Sequence, residues 1–204
     1  FSGELPEGWD HDLPANNFEG PALATRQTSQ AVLLKLADRL PELFGGSADL
    51  NPSTLTYLKS SKDFQKHSPE GRNIRYGVRE HAMAAISNGI AAYGGHLAFC
   101  STFLNFIGYA WGAVIVGALT GYVPSVLLMM TWVNIILSAH VLYIMTHDSI
   151  GVGEDGPTHQ PIEKYLMCRS IPNLLFLRPC DANETAGAYI AAINKSLDSE
   201  TLFI

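Results

Sequence analysis

The chain has 204 residues, of which 47% are hydrophobic and 16% are charged, and its formal net charge is -6. This length suffices for one domain with a full core, and the hydrophobic content excludes intrinsic disorder. The acidic balance argues against nucleic acid or a membrane surface as a partner, so an anionic substrate would need a local basic pocket.

Strands and helices alternate along the chain. An early helix is capped by Thr25 and ends at Leu40, and Asp181 with Glu184 has the spacing of a helix capping box. Such alternation predicts an α/β fold, a three-layer α/β/α arrangement with a mostly parallel sheet. The patterns predict strands at Leu43–Phe44, Ile74–Val78, Leu97–Phe99, Val141–Met145, Leu174–Leu177 and Thr201–Ile204. They predict further helices at Ala82–Tyr93, Leu104–Leu119, Ala182–Leu197 and from Ile162, and an irregular segment over residues 51–72.

The termini and the cysteines suggest the context of the domain. Residues 1–18 are rich in Pro, Gly, Asn and acidic residues, and we interpret them as a linker from a preceding domain, with residues 19–204 forming one domain of a longer polypeptide. The cysteines show no paired spacing and no zinc pattern. We therefore expect reduced core thiols in an intracellular, cytoplasmic protein, at Cys100, Cys168 and Cys180.

One apolar segment does not fit this pattern. Residues 110–145 contain no Asp, Glu, Lys or Arg, a run longer than the roughly 20 residues that a membrane span needs. Pro124, Asn134 and His140 interrupt it, and no basic residue flanks it, so we favour a protein without a membrane span.

Three polar segments follow predicted strands. The first is Thr146-His-Asp-Ser-Ile-Gly-Val-Gly-Glu-Asp-Gly-Pro-Thr-His-Gln-Pro161, the second is Arg79-Glu-His-Ala-Met83, and the third is Thr102-Phe-Leu-Asn-Phe-Ile-Gly-Tyr109. Loops that follow strands of an open α/β sheet commonly carry its chemistry, although solvated surface loops are the ordinary alternative. Together with Gly45-Gly-Ser-Ala-Asp-Leu-Asn-Pro-Ser53, these segments resemble the pyrimidine-binding domain of the thiamine diphosphate-dependent transketolases.

The resemblance implies a cofactor site for thiamine diphosphate. Glu80 would form a hydrogen bond with the pyrimidine ring nitrogen, although a carboxylate at a helix N-terminus is also a common structural feature. Phe103, Phe106 and Tyr109 would form the slot for the aminopyrimidine ring, and Asp49 would lie beside the cofactor. Spacing alone would assign these aromatic residues to the core, on one side of a helix start.

The resemblance also implies a sugar phosphate site and the transfer of a two-carbon ketol unit. His159 would move protons near the reacting carbonyl, and His147 would contact donor hydroxyls, which makes Glu80, His159 and His147 the catalytic set. Asp155 would bind a donor hydroxyl, and Arg26 and Ser53 would hold the distant phosphate. The His and acidic residues of the loop have no metal-ligand spacing, so we assign no metal to this chain.

The chain departs from the family pattern in several places. Cys100-Ser101 replaces two glycines, where side chains could crowd the cofactor pocket, and Ile115 replaces an Arg. Residues 122–139 look like an apolar insertion. Our hypothesis is that they are intronic sequence translated in frame, through a splicing event or a gene-model error, and a real insertion is the alternative.

The remaining part of the expected site lies elsewhere. The Gly-Asp-Gly and Asn motif that binds the diphosphate and its Mg²⁺ in the family does not occur here. The resemblance implies that the second subunit of a homodimer supplies this motif through its diphosphate-binding domain. Dihydroxyacetone synthase and a non-catalytic remnant or assembly partner stay open as alternatives.

Overall fold

The computed structural model describes residues 4–14, 22–120, 141–196 and 201–203. Helices and strands alternate along these residues, as the sequence predicts. The helices are α1 Thr25–Arg39, α2 Asn51–Thr54, α3 Glu80–Tyr93, α4 Ile107–Thr120, α5 Lys164–Arg169 and α6 Ala182–Ser196. The strands are β1 Leu43–Ser47, β2 Asn73–Arg75, β3 Leu97–Phe103, β4 Val141–Thr146, β5 Leu174–Phe176 and β6 Thr201–Phe203.

The six strands form one sheet in the order β2-β1-β3-β4-β6-β5. Every pair of neighbouring strands is parallel, which confirms the predicted parallel character. The carboxyl ends of parallel strands meet at the same edge of a sheet, where open α/β sheets bind their ligands. The loops after β1, β3 and β4 therefore converge at one edge.

Apolar side chains fill both faces of the sheet. On one face Leu36 of α1 and Tyr189 of α6 pack with Phe99 of β3 in one buried cluster. On the other face Met83 of α3 and Val114 of α4 pack in a second buried cluster. Helices thus cover both faces, and the predicted three-layer α/β/α fold is confirmed.

Three predicted element boundaries at the site edge are wrong. β3 continues to Phe103, because the ladder pairs the end of β3 with β4 up to Phe103 and Thr146. A 3-10 turn over Leu104–Phe106 then separates β3 from α4, so the predicted single helix from Leu104 begins later. β2 ends at Arg75, and Val78, expected in this strand, is 73% exposed.

The helix caps also differ from the sequence predictions. Thr25 is the first residue of α1, and the backbone N–H of Ala24 is capped by Gln27 Oε1 at 2.9 Å. At α6 the cap by Asp181 is confirmed, since its Oδ1 accepts the Glu184 N–H at 2.8 Å. In a capping box the Glu184 side chain would accept the N–H of Asp181, but here Glu184 Oε2 accepts the N–H of Cys180 at 2.8 Å. The segment predicted as irregular contains the short helix α2.

The first described residues pack on the domain. The Trp9 side chain is only 8% exposed and belongs to the α1 core cluster. The Arg39 guanidinium donates to the Gly8 carbonyl at 2.9 Å and pairs with Asp12 at 3.3 Å. These contacts do not test whether residues 1–18 are a linker, so that assignment stays a prediction.

The predictions on cysteines and the apolar run have different outcomes. Cys100 and Cys168 are free thiols in the core, but Cys180 is exposed, so its core assignment is wrong. Cys180 lies in the loop before α6 and belongs to neither of the two buried clusters that the structure describes. Residues 122–139 lie outside the described residues. Within the described ranges, no helix is long and apolar enough to cross a membrane.

Candidate functional site

The centre of the site is the point where β3 and β4 end. Phe103 and Thr146 form the last pair of the ladder, and His147 follows with a φ of 54°. This left-handed conformation is uncommon for a residue with a side chain, and such strain concentrates at functional sites. The His147 ring stacks on the Phe103 ring, with centroids 3.7 Å apart.

Three aromatic rings, beginning with Phe103, form a row towards the surface. Phe103 is 6% exposed and stacks on Phe106 at 5.6 Å, and Phe106 lies 6.2 Å from Tyr109. Tyr109 is 70% exposed. These residues stand on a strand, a 3-10 turn and a helix, so the expectation that they line one side of a single helix start is wrong. The structure nevertheless brings them into one continuous row.

His159 joins this row from the loop after β4. Its ring meets the Phe106 ring edge-on at 5.0 Å and lies 6.0 Å from the Phe103 ring. Asn105 donates a hydrogen bond to the Thr158 carbonyl, which ties the loop to the 3-10 turn.

Each histidine of the site is also held by the threonine that precedes it. Thr146 Oγ1 lies 2.8 Å from Nδ1 of His147, and Thr158 Oγ1 lies 2.8 Å from Nδ1 of His159. Sequence reasoning missed both threonines, although the repeated Thr-His pair in one loop was a usable signal.

A cavity of about 490 Å³ opens beside His147. The end of β4, the loop after it, the start of α1 and the loop before α6 line this cavity, with Arg26, His147 and Asp155 among the lining residues. Arg26 Nη1 lies 3.3 Å from Nε2 of His147 and donates to the Ser53 carbonyl at 3.3 Å. The contact of Ser53 with Arg26 is therefore made by its backbone. The structure brings four of the five predicted substrate residues together, and the fifth, His159, lies beside them.

The charges around His147 favour its neutral form. Burial lowers the pKa of the His147 imidazole, and the Arg26 guanidinium lowers this pKa further, while the Asp155 carboxylate acts in the opposite direction. Arg178 and Asp148 also line the cavity and form an ion pair at 2.9 Å. The Arg178 guanidinium also lies over the Tyr165 ring at 4.2 Å, which is a cation–π geometry.

Glu80 and Asp49 reach the same edge of the sheet from other elements. Glu80 is the first residue of α3 and is half-buried, and α3, which follows β2, packs beside α4, which follows β3. Asp49 follows β1 with a φ of 64° and is exposed. Within the described ranges, no hydrogen bond or ring contact joins Glu80 or Asp49 to His147 or His159.

Comparison with known proteins gives the family. The family described as "Transketolase, pyrimidine binding domain" matches residues 21–134 and 136–204. The chain belongs to this transketolase family. It is 52% identical over 95% of its length to a chloroplastic transketolase of Craterostigma plantagineum, of which it spans 34%.

Solved transketolases share the fold. The transketolase of Leishmania mexicana superposes with a TM-score of 0.84 at 48% identity, over 98% of this chain and 27% of that chain. A transketolase of Pichia stipitis in complex with sedoheptulose 7-phosphate gives a TM-score of 0.83 at 44% identity, over 98% of this chain and 28% of that chain. This transketolase domain therefore spans about a third of its relatives or less. Several relatives are named chloroplastic, and the cytoplasmic location stays a prediction.

Two of the departures from the transketolase pattern, Cys100 and Ser101, are accommodated in the core. Cys100 is buried in the α3 and α4 cluster, and Ser101 on the opposite face donates to the Ile144 carbonyl at 2.6 Å. Neither side chain lines the cavity. Ile115 is half-buried on α4. Within the part of the chain that the structure describes, no three His, Cys, Asp or Glu side chains are grouped to hold a metal ion.

Proposed function

We propose that this chain is the pyrimidine-binding half of a transketolase, which transfers a two-carbon ketol unit from a ketose phosphate to an aldose phosphate. The single observation that carries this proposal is the junction at Phe103 and His147, where the aromatic row and the cavity lined by Arg26 meet at one stacked ring pair. An enzyme that joins an aromatic cofactor to a sugar phosphate needs these two environments side by side.

The aromatic side of the junction fits the pyrimidine ring of thiamine diphosphate. Phe106 and the exposed Tyr109 offer ring faces at the surface, and the buried Phe103 holds the inner end of the row. Glu80 would hold the ring nitrogen by a hydrogen bond from the start of α3, and Asp49 would border the cofactor. When bound, thiamine diphosphate supplies the electron sink for breaking and making the carbon–carbon bond. The chain supplies position and proton transfer.

The cavity side fits a phosphorylated sugar. The Arg26 guanidinium suits a phosphate, because it donates several hydrogen bonds in a fixed plane. Its bond to the Ser53 carbonyl holds it at the cavity wall. Asp155 would accept a hydrogen bond from a donor hydroxyl, and His147 would contact neighbouring hydroxyls.

His159 is the proposed proton-transfer residue at the reacting carbonyl. The Phe106 ring and the Thr158 hydroxyl hold its imidazole, so a substrate group can meet a fixed ring. With Glu80 and His147, it completes the proposed catalytic set.

The proposal requires a second subunit. Apolar side chains on the outer helical layer are exposed, which is typical of a surface that another chain covers. They include Ile86, Tyr93, Val116, Leu119 and Leu166. We infer a homodimer in which the diphosphate-binding domain of the other subunit holds the diphosphate and its Mg²⁺. We likewise keep residues 19–204 as the domain and residues 1–18 as its linker.

Ketol transfer by the full-length protein tests this function. Xylulose 5-phosphate and an aldose phosphate are mixed with the protein, thiamine diphosphate and Mg²⁺, and the sugar products are measured. The same assay is run on protein lacking residues 122–139. Transfer to the aldose phosphate by either form supports the proposal, whereas transfer to formaldehyde alone supports a dihydroxyacetone synthase. No transfer by either form contradicts both activities.

A further inference from the structure

The hydrogen bonds around His147 define which of its nitrogens carries the proton. Arg26 has only donors, so the His147 Nε2 that faces it at 3.3 Å must accept. A neutral imidazole with an accepting Nε2 carries its proton on Nδ1. That N–H therefore donates to Thr146 Oγ1 at 2.8 Å.

We propose that Thr146 and Arg26 hold His147 as the neutral Nδ1–H tautomer, and that a phosphate monoester binding at Arg26 causes His147 to take up a proton on Nε2. This inference rests on the proposed function, which assigns Arg26 to the phosphate of a sugar phosphate. It adds that phosphate binding in that subsite is coupled to the protonation of His147.

The imidazole ring keeps its orientation during this proton uptake, but the Arg26 guanidinium must shift, because an Nε2–H and an Arg26 N–H cannot face each other at 3.3 Å. In the protonated imidazole both nitrogens donate, so Nδ1–H keeps its bond to Thr146 and Nε2–H becomes a donor for a phosphate oxygen. The stacked Phe103 ring and the left-handed backbone at His147 keep the imidazole in this orientation. Thr146 is therefore a positioning residue, and it is itself only 6% exposed at the end of β4.

The surrounding charges explain why phosphate binding should favour the protonated form of His147. In the free protein Arg26 from α1 is the cation that faces His147, and His159 from the loop also lowers its pKa. Asp155 and Asp148 raise this pKa, but Asp148 is paired with Arg178. A bound phosphate dianion neutralises the charge of Arg26 and attracts a proton to Nε2, since an opposite charge favours the charged form.

Titration calorimetry of the full-length protein tests the proposal. Ribose 5-phosphate is added without a ketose donor, so that no transfer occurs, at pH about 7.5, where a phosphate monoester with a second pKa near 6 is mostly a dianion. The heat measured in buffers with different ionisation enthalpies gives the number of protons taken up. We expect a measurable fraction of a proton for the parent protein, and none with unphosphorylated ribose.

Matched variants assign the proton. In His147→Gln the uptake should fall to nearly zero. Thr146→Ser keeps the hydroxyl and should keep the uptake, while the isosteric Thr146→Val should reduce it at least twofold. Uptake that is the same in His147→Gln as in the parent, or binding of ribose 5-phosphate without uptake in the parent, would overturn the proposal.

The same preparations separate this inference from the proposed function. Ketol transfer without coupled uptake removes only the inference. Coupled uptake without ketol transfer removes only the proposed transferase. A parent protein that does not bind ribose 5-phosphate contradicts both.

Discussion

Ser101 is a structural residue between the two central strands, and replacing it by the family's glycine should weaken the fold. Its hydroxyl is fully buried and donates to the Ile144 carbonyl of β4 at 2.6 Å. Loss of one such hydrogen bond lowers the free energy of unfolding by about 1 kcal/mol. A glycine within a strand adds a further loss of roughly 0.5–1 kcal/mol through backbone entropy. We therefore expect losses of about 1 kcal/mol for Ser101→Ala and about 2 kcal/mol for Ser101→Gly.

Urea unfolding followed by tryptophan fluorescence measures these losses. With a slope of about 2 kcal/mol per molar urea, the midpoint should fall by roughly 0.5 M for Ser101→Ala and 1 M for Ser101→Gly. The exposed Ser60→Ala is the matched control and should shift the free energy by less than about 0.5 kcal/mol. A Ser101→Gly protein that is more stable, or that transfers ketol units faster, would refute this reasoning and show that the serine crowds the cofactor pocket.

Other variants test separate contacts of the fold and site. Tyr189→Phe should lower the free energy of unfolding by about 1 kcal/mol, because the buried Tyr189 hydroxyl forms a hydrogen bond with Ser29 at 2.8 Å. The control Tyr93→Phe, at a side chain that is 92% exposed, should leave the urea midpoint unchanged. Asp181→Ala should cost about 1 kcal/mol by removing the α6 cap, and an unchanged midpoint would contradict that role. The lowered pKa of His147 means that the unfolded chain binds a proton more readily than the folded one, so stability should fall as the pH drops below about 6.5. His147→Gln should flatten this part of a urea-midpoint profile, and an unchanged slope would count against the assignment.

The sequence predicted the elements whose pattern is local. The β-branched and aromatic run of β4 and the capped helix α6 were found because their signals lie within their own residues. The end of β3 was missed because it depends on a partner, since the register with β4 extends the ladder to Phe103. The exposure of Cys180 was likewise missed, because burial depends on which layers pack over a loop.

The candidate site shows the same division. The family pattern identified His147 and Arg26 as site residues, but it gave no reason for them to touch each other. Their contact follows from the left-handed turn after β4 and from the position of α1 over the cavity, which are properties of the assembled fold. Thr146 was missed because a threonine at the end of a strand is ordinary until its hydroxyl is seen beside an imidazole nitrogen.

The measurement that tests the central claim most directly is thiamine diphosphate-dependent ketol transfer by Glu80→Gln in the full-length protein. The matched control is Glu70→Gln, an exposed carboxylate paired with Lys62 on the surface. Proton-transfer groups commonly contribute 10²–10⁴-fold to the rate, so turnover by Glu80→Gln should fall by at least about 100-fold, while Glu70→Gln keeps the parent rate. Turnover by Glu80→Gln equal to that of the parent would contradict the claim that this chain supplies the pyrimidine-binding half of the active site.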